Sequence, residues 1–193
     1  ETDIAFDVKE TKPWSIFAGV DNTGSGGTGD LRIYSGFALG DLWNLDHELT
    51  YQFTTSEKGL DNLAAHAASY TLPVMSRTDF QLSGSYAKTA TDSGPGTSKG
   101  KSWSLGGMFI TQLPGFSNTT WDARYGFEYK NSNNSFEFGG AAASGNVTEV
   151  GQFFAQIVGQ HAGAKSSTSF DVGVWAAPGG LFSNNDNEAF DAS

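Results

Sequence analysis

The chain has 193 residues, a formal net charge of −10, 17% charged residues, 13% aromatic residues, 25 glycines and no cysteine. The acidic balance excludes a phosphate-binding surface for nucleic acid, and the lack of cysteine excludes disulfides, thiolate metal sites and a cysteine nucleophile. No apolar run reaches the roughly 18–20 residues of a transmembrane helix; alternating strands give only every second residue to lipid, so a mean hydropathy of −0.33 does not count against a membrane barrel.

In chain order, residues 4–9 set Ile4, Phe6 and Val8 against Ala5, Asp7 and Lys9 and run into Glu10-Thr11-Lys12-Pro13. That pattern reads as the tail of a preceding domain and a linker, and Glu1, opening on a polar run, reads as the start of a mature or excised segment. A strand is predicted over 14–22, with Trp14, Ile16, Ala18 and Val20 on one face, followed by a glycine-rich loop over 22–30. The stretch 31–39 sets Leu31, Ile33, Phe37 and Leu39 against Arg32, Tyr34 and Gly36, and a short turn spans 40–44. From Leu45 to Thr54 the alternation has no error: Leu45, His47, Leu49, Tyr51 and Phe53 face one way, Asp46, Glu48, Thr50, Gln52 and Thr54 the other. Period two means a β-strand, and this length suits a tilted crossing of a bilayer.

An alanine-rich strand over 62–72 closes at Pro73, and 79–88 sets Phe80, Leu82 and Tyr86 against Asp79, Gln81, Ser83 and Ser85. Residues 89–101 read as a long Gly/Ser/Thr loop. A strand over 102–113 carries Trp103, Leu105, Phe109 and Leu113 on one face, and 114–118 is a short turn. The strand 119–130 is as clear as the one after Leu45, with Trp121, Ala123, Tyr125, Phe127 and Tyr129 against Asp122, Arg124, Glu128 and Lys130. The polar stretch 131–146 reads as a long link with a hairpin extension at 136–138. Strands over 147–160, of ambiguous facing, and 167–176 complete nine, and 178–193 reads as loop.

Alternately long and short links predict an all-β fold, an antiparallel transmembrane β-barrel with short periplasmic turns and long outer loops. Arg32, Asp46, Glu48, Gln52, Asp79, Asp122, Arg124 and Glu128 are then expected to line the lumen, and Leu49, Tyr51, Phe53, Tyr125 and Phe127 to face the lipid bilayer. Membrane-interface girdles are expected from Trp14, Trp43 and Trp121 on the periplasmic side and from Trp103 and Trp175 on the outer side. Nine is an odd number: the first and last strands run the same way and cannot pair antiparallel, so both edges stay open. The chain is therefore expected to be part of a larger barrel, with the remaining strands supplied by the same parent polypeptide or another copy.

Lys12-Pro13-Trp14 leading to Asp21-Asn22-Thr23-Gly24 and Thr28-Gly29, then Leu42-Trp43-Asn44-Leu45-Asp46-His47-Glu48-Leu49-Thr50 ending in Thr54-Thr55-Ser56, resembles the start of the barrel in two-partner-secretion outer-membrane transporters of the ShlB/FhaC haemolysin secretion/activation type. Ser69-Tyr70-Thr71-Leu72-Pro73, Phe127-Glu128-Tyr129-Lys130 and Pro178-Gly179-Gly180-Leu181 fall in that family's order. The resemblance implies a bacterial outer-membrane barrel of about sixteen strands in the Omp85 superfamily, preceded by POTRA domains. Residues 1–12 would end a POTRA domain and its linker, and 13–193 would be the N-terminal half of the barrel. It also implies export of a partner exoprotein through the lumen without a cofactor. The family's Val-Arg-Gly loop motif has no match in this sequence.

Other motifs read as ordinary surface. Gly24-Ser25-Gly26-Gly27-Thr28-Gly29 spells a dinucleotide fingerprint, but a strand follows it where that fingerprint needs a helix. His47, His66 and His161 have no metal-ligand spacing, and Asn184-Asn185-Asp186-Asn187-Glu188 lacks the EF-hand pattern. Asp122, Arg124, Glu128 and Lys130 could form an acid/base set, but charged residues of both signs are the usual lining of a water-filled barrel, so no enzyme is expected. The rival readings are a fragment of a passive porin or other Omp85-type barrel, and a soluble glycan-binding β-sandwich.

Overall fold

The computed structural model describes residues 13–93, 96–116, 118–138, 141–163 and 166–179. The expected strand at 4–9, and with it the POTRA and linker assignment of 1–12, lies outside the described residues, as do Leu181 and the Asn184–Glu188 run. Nine strands follow one another: β1 (Trp14–Asp21), β2 (Arg32–Leu42), β3 (His47–Ser56), β4 (Leu63–Met75), β5 (Thr78–Ser93), β6 (Gly96–Phe116), β7 (Thr119–Phe138), β8 (Ala141–Ala162) and β9 (Ser167–Ala176). They form one antiparallel sheet in chain order. Among the described residues β1 pairs only with β2, and β9 only with β8.

The sheet is one layer thick and has almost no interior. Leu63 is the one buried hydrophobic side chain among the described residues. Cross-strand partners share a face, so the register sorts the side chains without ambiguity. The ladder Trp14↔Leu39↔Leu49↔Tyr70↔Leu82↔Gly107↔Phe127↔Phe153 runs along an apolar face. The neighbouring ladder Ser15↔Ala38↔Thr50↔Ser69↔Ser83↔Gly106↔Glu128↔Gln152 runs along a polar one. Aromatic pairs lock the apolar face: Phe37–Tyr51 at 5.5 Å, Phe80–Phe109 at 5.1 Å, Phe109–Tyr125 at 5.5 Å and Phe127–Phe153 at 5.0 Å between ring centroids.

The register also fixes how the strands lean. The ladder that starts at Trp14, the first residue of β1, ends at Ala176, the last residue of β9, nine residues beyond Ser167. With the short turns at one rim, that stagger is about 30 Å of strand over eight interstrand spacings of about 4.8 Å, a tilt near 40°. Transmembrane barrels have this tilt.

Two expectations about the links fail. Residues 89–93, 96–101, 131–138 and 141–146 are strand: β5 and β6 pair out to Ser93↔Gly96, and β7 and β8 to Phe138↔Ala141, so the strand extends well beyond the short hairpin extension expected at 136–138. Both faces of these tips carry serine, threonine and asparagine, so no apolar period marks them, while the backbone ladder continues regardless. Asp46 is a further correction. β3 begins at His47, and Asp41, Trp43, Asn44 and Asp46 all have positive φ, from 49° to 60°. Aspartate and asparagine tolerate that left-handed region, and the Asp46 amide donates to the Asp41 carboxylate at 3.3 Å. The turn therefore consumes Asp46, which is no part of the strand wall.

The separation of faces generates a test in the full-length protein. Phe53→Arg, near mid-strand on the apolar face, should destabilise by about 2–4 kcal/mol in a bilayer unfolding titration, whereas Gln52→Arg should be nearly neutral. Equal costs at the two positions would reverse the assignment of faces.

Candidate functional site

The polar face is built from alternate residues of every strand, and its chemistry changes across the sheet. Strands β3 to β6 contribute small and hydroxylic side chains, and a shallow hollow is lined by Thr50, Gln52, Ala67, Ser69, Ser83, Ser85 and Ser104. Ser85 and Ser104 hydroxyls meet at 2.8 Å, and the Gln81 amide donates to Thr71 at 3.1 Å. Strands β7 to β9 carry a denser set of charges, Asp122, Arg124, Glu128, Lys130 and Asp171. Glu128 accepts from Gln152 at 3.1 Å and pairs with Lys130 at 3.0 Å, while Gln156 donates to Asp171. Arg124 shares this face, with its Nε buried and unpartnered.

Of the eight residues expected to line a lumen, Arg32, Glu48, Gln52, Asp79, Asp122, Arg124 and Glu128 share this face. Leu49, Tyr51, Phe53, Tyr125 and Phe127 share the other. Among the tryptophans, Trp14, Trp103 and Trp121 stand on the apolar face. Trp43, in the β2–β3 turn, packs edge-on against His47 at 6.0 Å and Tyr70 at 6.4 Å. Trp175 departs from expectation: it pairs with Phe154, opposite Gly126, and so stands on the polar face with Asp171 and Gln156. The alternation of β9 fixes this, because Val172 and Val174 take the apolar positions between.

The β8 strand is what the sequence left ambiguous. Phe153 faces the apolar side and Phe154 the polar side, and Val150 and Val158 join Phe154 there. Its glutamines Gln152 and Gln156, together with Asp171 of β9, complete the charged part of the wall. The even spacing of Gln152 and Gln156, four residues apart, and their polarity were visible in the sequence; the valines and the adjacent phenylalanines masked it.

A second feature was not anticipated. The loop over 22–31 crosses the polar face at the end of the sheet opposite the short turns. A short bridge, Ser25↔Gly29, stiffens it. Arg32 holds its base, donating to the Gly29 carbonyl at 2.8 Å and to the Thr28 hydroxyl at 2.7 Å. Glu57, just after β3, accepts from the Asp30 and Leu31 amides at 2.7 and 2.8 Å, and Lys58 donates to the Gly26 carbonyl at 2.6 Å. Gly29 has φ +109°, and a Cβ there would stand 2.9 Å from Ser56 Cβ and 2.7 Å from Glu57 Oε2, so both conformation and space demand glycine. A Cβ on Gly27 would lie 2.5 Å from the Thr91 methyl. The loop thus reaches from β2 to β5, about three strand spacings or 14 Å. Ser56 lies beneath it, 2% exposed. The sequence signal, an acid–lysine pair directly after a strand, was there, but its partner loop is 26 residues or more distant in the chain.

The sequence profile of the haemolysin secretion/activation protein family, ShlB/FhaC/HecB, matches residues 1–139. The chain belongs to this family. Members of the ShlB/FhaC/HecB family are outer-membrane β-barrel transporters, so the nine-stranded sheet is part of a transmembrane barrel in the bacterial outer membrane. Among solved structures the fold is similar to CdiB from Escherichia coli, with a TM-score of 0.73 and 14% identity over 93% of this chain. The match covers 34% of CdiB, so the chain spans about a third of that protein's length. No curated protein sequence gave a significant match.

The Glu57 clamp in this ShlB-family chain should depend on pH. Desolvation under the loop works to raise its pKa, but the amides of Glu57, Asp30 and Leu31 and the nearby Lys58 ammonium outweigh it and hold the carboxyl below its usual value. A depressed pKa contributes stability above the unfolded-state value, about 4.3, which is lost as pH falls through the folded value. In the full-length protein, acidification through that lowered value should release the loop. Glu57→Gln should do so at neutral pH, lowering hydrogen-exchange protection of the Asp30 and Leu31 amides by roughly tenfold. Unchanged protection in the variant would show that the loop is held elsewhere.

Proposed function

We propose that residues 13–193 are the first half of the barrel of a two-partner-secretion transporter, and that the polar face is the wall of a pore through which a secreted exoprotein leaves the cell unfolded. The observation that carries this reading is the continuous separation of a serine-, threonine- and charge-lined face from an aromatic one over nine strands. Membership of a secretion/activation family supports export over passive diffusion. A passive porin would share the two faces but not that family, and a glycan-binding sandwich needs two packed sheets where the described residues form one.

On this reading residues 1–12 end a periplasmic POTRA domain and its linker. The strands that close the ring come from the same polypeptide or from another copy, because each unpaired backbone group in lipid costs several kcal/mol. The wall exchanges hydrogen bonds with the passing chain: hydroxyls donate and accept alike, and small side chains do not obstruct. Asp122, Arg124, Glu128 and Lys130 belong to the charged part of that wall, with no catalytic part.

The chain has no cysteine, which makes a directional test clean. In cells producing the full-length transporter and its exoprotein partner, Ser85→Cys on the polar face should crosslink to an exoprotein stalled in transit. Leu82→Cys, on the apolar face, should not. Export that proceeds while neither position, or both equally, crosslinks would overturn the pore assignment.

A further inference from the structure

The apolar face carries three cations among the described residues, Lys88, Lys99 and Lys101, and all three lie on the projecting β5–β6 hairpin. In a chain of net charge −10, that clustering is local. Lys88 and Lys101 are direct cross-strand partners, which puts two ammonium-bearing side chains on adjoining positions, an arrangement that destabilises a sheet when nothing sits between them. Neither has an ion-pair or hydrogen-bond partner among the described residues. Among the described side chains, two acids on the same face are already engaged. Glu137 pairs with Lys99 at 2.8 Å, and Glu149 accepts from Tyr129 at 2.8 Å and Asn131 at 3.2 Å.

Their height is set by the aromatic residues below them. One pleat nearer the short turns, Tyr86 pairs with Trp103, whose ring lies 4.9 Å from that of Tyr129. From Leu113 to Trp103 the apolar face of β6 runs ten residues, about 25 Å of height at a tilt near 40°. That is the height of the apolar band of an outer-membrane barrel, with Trp103 and Tyr129 at its upper interface. Lys88 and Lys101 stand immediately above, at headgroup level, with the exposed amide of Asn133 opposite Lys101. The long hairpins put this rim on the outer side of the membrane.

We propose that Lys88 and Lys101, assisted by Asn133, form a binding site for the phosphate group of an outer-leaflet lipid. A phosphate between the two ammonium groups turns a repulsive pair into a charge-assisted bridge, and its acyl chains would lie along Leu82, Leu105 and Phe109 beneath. The site depends on the chain's place in the outer membrane and not on what the pore exports, so a failure here would leave the export reading untouched.

The test uses the full-length transporter in detergent, with native mass spectrometry counting retained diphosphoryl lipid A. Heat-modifiable gel migration confirms folding of each variant. The expected result is at least a tenfold loss of retention in the K88Q/K101Q double variant, recovery in K88R/K101R, and no change in R77Q, which alters a cation at the opposite rim. Dephosphorylated lipid A should bind no better to the wild type than to the double variant. Equal retention of diphosphoryl lipid A by the wild type and folded K88Q/K101Q would overturn the proposal. So would displacement of the lipid by millimolar inorganic phosphate, which would mark the site as one for free phosphate.

Discussion

Everything in this structure depends on a backbone ladder that must satisfy itself. In hydrocarbon no water is available to an unpaired N–H or C=O, so the sheet carries the burden that a hydrophobic core carries in a soluble domain. The chain buries almost nothing: one hydrophobic side chain is buried among the described residues, and large apolar residues such as Ile16, Val172 and Val174 are 69–76% exposed. In water that surface would drive aggregation. Against acyl chains it is solvated, and the polar face is solvated by water, so the two faces need no packing partner. What stays unresolved by the ladder is its edges, β1 and β9, each hydrogen-bonded on one side among the described residues.

The same logic explains why the strands differ so much in length. β3 has 10 residues and β8 has 22, yet only about ten residues are needed to cross. Beyond the aromatic row at Tyr86, Trp103 and Tyr129, both faces meet water, and composition shifts to asparagine, serine, threonine and lysine while pairing persists. Ladder hydrogen bonds exposed to water contribute less than those in lipid, because water competes for the same groups. The tips are therefore held by cross-strand side-chain contacts such as Lys99 with Glu137 at 2.8 Å. The shorter β1–β4 end takes a different solution, a loop folded inward and clamped by Glu57, Lys58 and Arg32.

The spanning part was legible because lipid and water impose a strict period of two. His47 to Thr54 and Trp121 to Lys130 could be assigned residue by residue, faces included. Legibility ended where that contrast ended. Residues 89–101 and 131–146 have no apolar side, so a ladder and a loop look alike in sequence. Asp46 continued the alternation by chance, and only the left-handed backbone of the Asp41–Asp46 turn removes it from the strand. Trp175 was placed by residue type and not by parity; Val172 and Val174 already implied the polar side for it. The partner of the Glu57–Lys58 pair was illegible for another reason, since the clamp joins segments separated by 26 or more residues through backbone amides that carry no residue-specific signature.

The stagger of the sheet also bears on the state in which a passenger could cross. In the proposed ring of about sixteen strands, continuing the tilt near 40° gives a backbone diameter of roughly 30 Å. Inward side chains take several ångströms from each wall, and the loop over 22–31 takes more at the outer end. A folded domain of about 100 residues has a radius of gyration near 13 Å, and so a diameter above 30 Å; it cannot enter. An extended chain is about 10 Å wide and can. A wall of serine, threonine, alanine and glycine between Gln52 and Ser104 suits that passenger, since it offers hydrogen bonds everywhere and a deep pocket nowhere. Binding sites along the path would slow an extended chain, and on the proposed export reading the flatness of this face would let it move.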